Sequence, residues 1–141
     1  MDFRIVIPSY KRVNILLDKT LNLLINYKID LSKVYVFVVE EEEMLYKKEL
    51  PPVVNVVKGV KGISAQRDFI SNYFDDGQPL VSLDDDITNL LTLSPCKSKT
   101  DILDNFEELI YSTFLTLKMS NLRLAGLYPV NNYYFLKDKI T

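Results

Sequence analysis

Three consecutive carboxylates, Asp84, Asp85 and Asp86, follow the run Leu80-Val81-Ser82-Leu83. That run reads as a short buried strand. Acids so close together repel one another, and burying even one is costly unless it is paired or bound to metal. A divalent cation is the simplest partner that makes the cluster favourable. Hard cations take oxygen ligands, and Mg²⁺ is usually held by one or two carboxylates plus substrate phosphates. The plainer reading is that one Asp caps the next helix and the others are solvated.

Other groups capable of chemistry follow other apolar runs. Ser9, Tyr10, Lys11 and Arg12 come after Phe3–Ile7 and Pro8, which reads as a first strand. Glu40 follows Val34–Val39, a nearly all-apolar run that fits a strand covered on both faces. Lys58-Gly59-Val60-Lys61-Gly62 is a basic, glycine-containing loop after a third strand at Val53–Val57. Ser64 reads as the N-cap of a helix over Ala65–Phe74. Helical spacing also marks Val13–Lys28, with Leu17, Leu21, Leu24 and Ile25 inward, and a short helix ends before Pro51-Pro52. Beyond a loop at residues 94–100, Asp101–Met119 reads as the longest helix, and Leu122–Tyr128 and Tyr133–Leu136 as two more strands.

Strands alternating with helices predict an α/β fold. Its sheet should be parallel or mostly parallel, with right-handed crossovers and helices on both faces. Ligands of such sheets bind outside the carboxyl ends of the strands. Each polar group named above would sit at that edge. Together they offer an aromatic face, a lone acid, a basic loop at a helix N-terminus and an acid cluster. A nucleotide needs those parts: a stacking surface, an acceptor for base or ribose, cationic help for phosphates and a metal ion. Each also has a bland counterpart. Tyr10 can pack on the sheet edge, Arg67 can pair with Asp68 or another nearby acid, Glu40–Glu43 can be a solvated face, and Lys58 and Lys61 can point to water.

Length and composition bound the rest. The chain has 141 residues, 48% of them hydrophobic and 26% charged, which fits one ordinary globular domain. A formal net charge of −2, with cations scattered, argues against a general nucleic-acid-binding surface. The single cysteine, Cys96, allows no internal disulfide and fits a reducing, cytoplasmic location. No apolar run is long enough to span a bilayer, and Met1–Pro8 is too short in its apolar part for a signal peptide. With no histidine in the 141 residues, a His-ligated zinc site and a His general base are excluded within them.

Three segments carry a family resemblance. Ile5-Val6-Ile7-Pro8-Ser9-Tyr10-Lys11-Arg12 resembles the opening of family-2-like glycosyltransferases of the GT-A fold. Gly62-Ile63-Ser64-Ala65-Gln66-Arg67 resembles their Gly-x-Ser/Ala-Ala-x-Arg segment, and Leu83-Asp84-Asp85-Asp86 their DxD motif. Order and spacing agree over residues 1–90. The resemblance implies a GT-A-like, Rossmann-like domain over residues 1–141. Residues 1–90 would be its donor-binding part and residues 91–141 the start of an acceptor side that would be cut short there. The activity implied is metal-dependent transfer of a sugar from a nucleotide-diphosphate donor, a UDP-sugar foremost, to an unknown acceptor.

The resemblance also implies roles. Pro8, Ser9 and Tyr10 would line the base pocket, with Arg12 beside them. Glu40 would accept from the base, where the family more often has Asp. Gly62 and Arg67 would serve the base or diphosphate. Asp84 and Asp85 would contact donor, and Asp84 and Asp86 would hold Mn²⁺ or Mg²⁺. More faintly, residues 124–132 resemble glycosyltransferase-like proteins of large DNA viruses. There Gly126 would allow close backbone approach, and Asn131 and Asn132 would be acceptor contacts or a turn.

The family pattern is incomplete. Inverting members usually carry a carboxylate base after the DxD, and many carry a further metal ligand, often His. Asp101, Asp104, Glu107 and Glu108 read instead as helix N-terminal charge. The catalytic base is therefore unidentified, and the chain reads as a donor-binding half, a truncated piece or an unusually small enzyme. The alternatives are a nucleotide-diphosphate-binding module without turnover and, more distantly, a phospho-acceptor signalling domain. The last needs acids after the first strand, where Pro8-Ser9 stand.

Overall fold

A computed structural model describes residues 2–93 and 100–127. The chain divides into two compact units, Met1–Thr88 and Asn89–Thr141.

In the first unit four short strands form one parallel sheet: β1 (Arg4–Pro8), β2 (Val34–Val38), β3 (Asn55–Lys58) and β4 (Leu80–Ser82). Their spatial order is β3-β2-β1-β4, with every pairing parallel. The chain therefore steps outward from β1 to β3 and returns to the opposite side of β1. With right-handed crossovers this reversal places the helices before and after β2 on one face and the helix before β4 on the other. The reversal point, between β1 and β4, is where an open parallel sheet parts at its carboxyl edge to leave a crevice.

The register assigns the faces. Val6 pairs with Tyr35 and Ser82, and Phe37 with Val57, so these share one side. The helix preceding β4, α4 (Ile63–Tyr73), covers them: Val6, Phe37 and Ile70 are buried together, with Tyr35, Phe69 and Phe74 against them. The Phe37 and Tyr73 rings meet edge-on at 5.3 Å, and Tyr35 and Phe74 at 5.1 Å. Truncating Phe37 to Ala would cost about 3–5 kcal/mol. On the other side Ile5, Ile7, Val34, Val36 and Val38 are all fully buried, as expected of strands covered on both faces.

The first helical stretch is not a uniform α-helix. It runs as α1 (Val13–Leu16), a π-helical turn (Leu17–Leu21) and α2 (Asn22–Asn26). The wider turn shifts the inward stripe. Leu16, Thr20, Leu21, Leu23 and Leu24 are buried, whereas Ile25, expected inward, is exposed. A 3-10 turn (Glu40–Glu42) leads into α3 (Glu43–Glu49), whose one buried side chain is Tyr46. The N-cap of α4 is Gly62, at φ 96°, not Ser64. A left-handed backbone angle suits glycine and lets the helix begin earlier than expected.

In the second unit, β5 (Leu91–Leu93) and β6 (Thr100–Ile102) pair antiparallel. α5 (Phe106–Met119) starts five residues later than its periodicity suggested, because Asp101 belongs to β6 and Asn105 caps the helix by accepting from the Glu108 N–H. Leu90, Phe106 and Ile110 are buried. Residues 122–127 form no strand, and among the described residues a Cβ at Gly126 would meet nothing within 4 Å. The expected strand at Tyr133–Leu136, Asn131, Asn132 and Cys96 lie outside the described residues. Among the described residues no helix is long and apolar enough to cross a membrane.

Candidate functional site

A cleft of about 560 Å³ opens at the carboxyl edge of the first unit's sheet, with walls from the ends of β1 and β4. Pro8, Ser9, Tyr10 and Arg12 line it from β1; Val60, Lys61, Gly62, Ile63, Gln66 and Arg67 from the loop and first turns of α4; and Asp84, Asp85 and Asp86 from the exit of β4. Segments far apart in sequence thus meet at the reversal point. The size suits a small-molecule ligand.

The three acids divide by environment. Asp85 is buried, whereas Asp84 and Asp86 are exposed. The Ser9 hydroxyl donates to Asp85 Oδ2 at 2.9 Å, and Arg12 Nη1 lies 3.5 Å from Asp85 Oδ1. The cost of burying that carboxylate is offset by a hydrogen bond and a cation. Arg12 Nη2 also donates to Asp86 Oδ2 at 3.3 Å. Arg67 Nη2 stands 3.9 Å from Asp84 Oδ1, with both side chains largely exposed, so this pair contributes little stability.

Behind the acids lies a directional chain of hydrogen bonds. The Arg12 N–H donates to Tyr46 Oη at 3.1 Å, and Tyr46 Oη lies 2.7 Å from Ser9 Oγ. Ser9 spends its single proton on Asp85, so the Tyr46 hydroxyl donates to Ser9. Burial raises the Tyr46 hydroxyl above its usual 10.0, which keeps it a donor at neutral pH.

Two further contacts fix the loops. Thr20, fully buried in the π-helical turn, donates to the Asp84 carbonyl at 2.6 Å and accepts from the Ile87 N–H at 2.9 Å. It straddles the acid cluster from both ends. A π-turn at such a place is a recurrent feature of functional sites. Lys11 adopts a left-handed backbone, φ 54°, costly for a residue with a Cβ. Its N–H donates to both carboxylate oxygens of Glu42, at 2.8 and 3.0 Å. Within the acidic run Glu42 therefore turns toward the β1 exit. Glu40, expected to face the ligand, is exposed on the 3-10 turn and does not line the cleft; Val39 does.

Among the expected site residues, Pro8, Ser9, Tyr10, Arg12, Gly62, Arg67, Asp84, Asp85 and Asp86 are brought together, and Glu40 is left out. Tyr46, Thr20, Glu42 and Gln66 were not singled out from sequence. Their roles arise from contacts spanning 31 to 67 positions or, for Gln66, from a loop folded back on its own helix. The cleft can hold a ligand with an apolar part and an anionic part, since Tyr10, Val60 and Ile63 share it with Arg12, Lys61 and Arg67. No side chain caps α4, so its first N–H groups stay available to an anion. Among the described residues no three His, Cys, Asp or Glu side chains gather into a complete metal cage. Asp84 and Asp86 would suit a cation that takes its remaining ligands from phosphates and water. No family model matches the chain, and no curated protein matches it significantly.

Proposed function

We propose that the chain is the donor-binding part of a metal-dependent glycosyltransferase with a GT-A-like fold, moving a sugar from a nucleotide diphosphate to an acceptor. One observation carries this reading. Tyr10, Arg67 and the two exposed carboxylates Asp84 and Asp86 line a single cleft where the strand order reverses.

The residues divide the work by chemistry. Tyr10, exposed, offers a ring face for a base. Lys61, Arg67 and the uncapped start of α4 attract the diphosphate. Asp84 and Asp86 would hold Mn²⁺ or Mg²⁺, which would supply Lewis-acid neutralisation of charge on a leaving nucleoside diphosphate. Asp85 keeps the β4 exit in place through Ser9 and Arg12 rather than contacting donor.

A second reading is a nucleotide-diphosphate-binding module without turnover. Among the described residues, the only carboxylates lining the cleft are those of Asp84, Asp85 and Asp86. Hydrolysis of UDP-sugars by the protein would support the transferase over the module. Calorimetry with UDP, GDP and dTDP, with and without Mn²⁺, tests both. Mn²⁺-dependent binding of at least one is expected; binding to none would reject the nucleotide site.

A further inference from the structure

We propose that Gln66 is the specificity-determining residue of the cleft, its amide NH₂ donating to a ring oxo group of the bound base. The inference rests on the nucleotide reading above. Gln66 is only 5% exposed yet lines the cleft. The Val60 N–H donates to its Oε1 at 3.0 Å. A backbone N–H can only face the carbonyl end of the amide, so the NH₂ must take the other direction. Among the described residues Nε2 has no hydrogen-bond partner, and no fully buried side-chain nitrogen or oxygen is left unsatisfied, so Nε2 keeps access to solvent.

The amide is also held in place. A Cβ at Gly59 would lie 2.0 Å from Gln66 Oε1, and the Gly59 N–H donates to the Val38 carbonyl at 2.7 Å. Val39, Val60 and Ile63 line the same cleft, apolar surface that a base can lie against. A fixed donor in such surroundings discriminates by chemistry. Uracil, thymine and guanine present an oxo acceptor where cytosine and adenine present an amino donor. Donor facing donor leaves both unpaired and out of water.

The test compares UDP with CDP, and GDP with ADP, by calorimetry in the presence of Mn²⁺. The wild-type protein should bind the oxo member of each pair at least about tenfold more tightly. Gln66→Glu keeps an acceptor for the Val60 N–H but turns a second acceptor toward the ligand. The UDP-to-CDP preference should then fall at least about tenfold, beyond any uniform loss from added negative charge. Equal wild-type binding of UDP and CDP, or an unchanged ratio in Gln66→Glu, would overturn the assignment while leaving the nucleotide site standing. Failure of every nucleotide to bind the wild-type protein would overturn both. If Gln66→Glu does not fold, the wild-type oxo-against-amino comparison still decides.

Discussion

The Ser9 hydroxyl and the Asp85 carboxylate, 76 positions apart, are joined by a 2.9 Å hydrogen bond that ties the exit of β1 to the exit of β4. Both groups are buried. The bond therefore sets where the acid cluster begins, and the partition of the acids follows from it: Asp85 inward, Asp84 and Asp86 outward.

Ser9→Ala should destabilise the first unit. It leaves the Tyr46 proton and one Asp85 oxygen without their partner inside the protein. The expected cost is about 1–3 kcal/mol, read as a lower urea midpoint with an unchanged slope. A midpoint equal to that of the wild type would show that the Ser9 link contributes nothing.

Tyr46 predicts a loss of stability in alkali. Burial raises its pKa above 10.0, so the folded state holds this proton more tightly than the unfolded chain. The stabilisation is fully present below the unfolded value and is lost as pH rises through the folded one. Denaturation midpoints followed from about pH 8 to about pH 11 should fall in the wild type. The fall should be shallower in Tyr46→Phe, and equal slopes would remove Tyr46 as a cause.

Thr20→Val retains the shape of the side chain but removes the hydroxyl that serves the Asp84 carbonyl and the Ile87 N–H. Two part-buried backbone groups lose a partner, at a cost of about 1–3 kcal/mol. The acid cluster should loosen as well. Mn²⁺-dependent UDP binding should weaken in a variant that is still fully folded by circular dichroism; wild-type affinity would deny Thr20 a part in holding Asp84 and Asp86.

The parallel sheet was legible because its central strands are continuous apolar runs, Ile5-Val6-Ile7 and Val34–Val39, which only strands covered on both faces tolerate. The meeting of Tyr10 with Asp84 and Asp86 followed from that topology, since strands that run together end together. What stayed hidden depends on shape rather than type. Nothing in Leu17–Leu21 announces a π-turn, so Thr20 read as one more polar helix residue. Glu40 and Glu42 are chemically identical, and only the 3-10 turn decides which one reaches the Lys11 N–H. Asp101 looks like helix N-terminal charge until β6 claims it for pairing with β5.

Gly59→Ala should disturb the cleft from behind. Any side chain there meets the Gln66 amide at 2.0 Å, so the amide must move and the bond to the Val60 N–H must lengthen or break. Nucleotide binding should weaken and the preference between UDP and CDP should diminish, measured by calorimetry. Unchanged affinity and preference would mean that the Gln66 amide is not held where recognition needs it.

The most direct measurement is calorimetric titration of UDP into the wild-type protein and into an Asp84→Asn, Asp86→Asn variant, each with and without Mn²⁺. The cleft should bind UDP only with Mn²⁺ in the wild type, and the variant should lose that dependence together with most of the affinity. UDP binding that ignores both the cation and the two substitutions would contradict a metal-held diphosphate in this cleft.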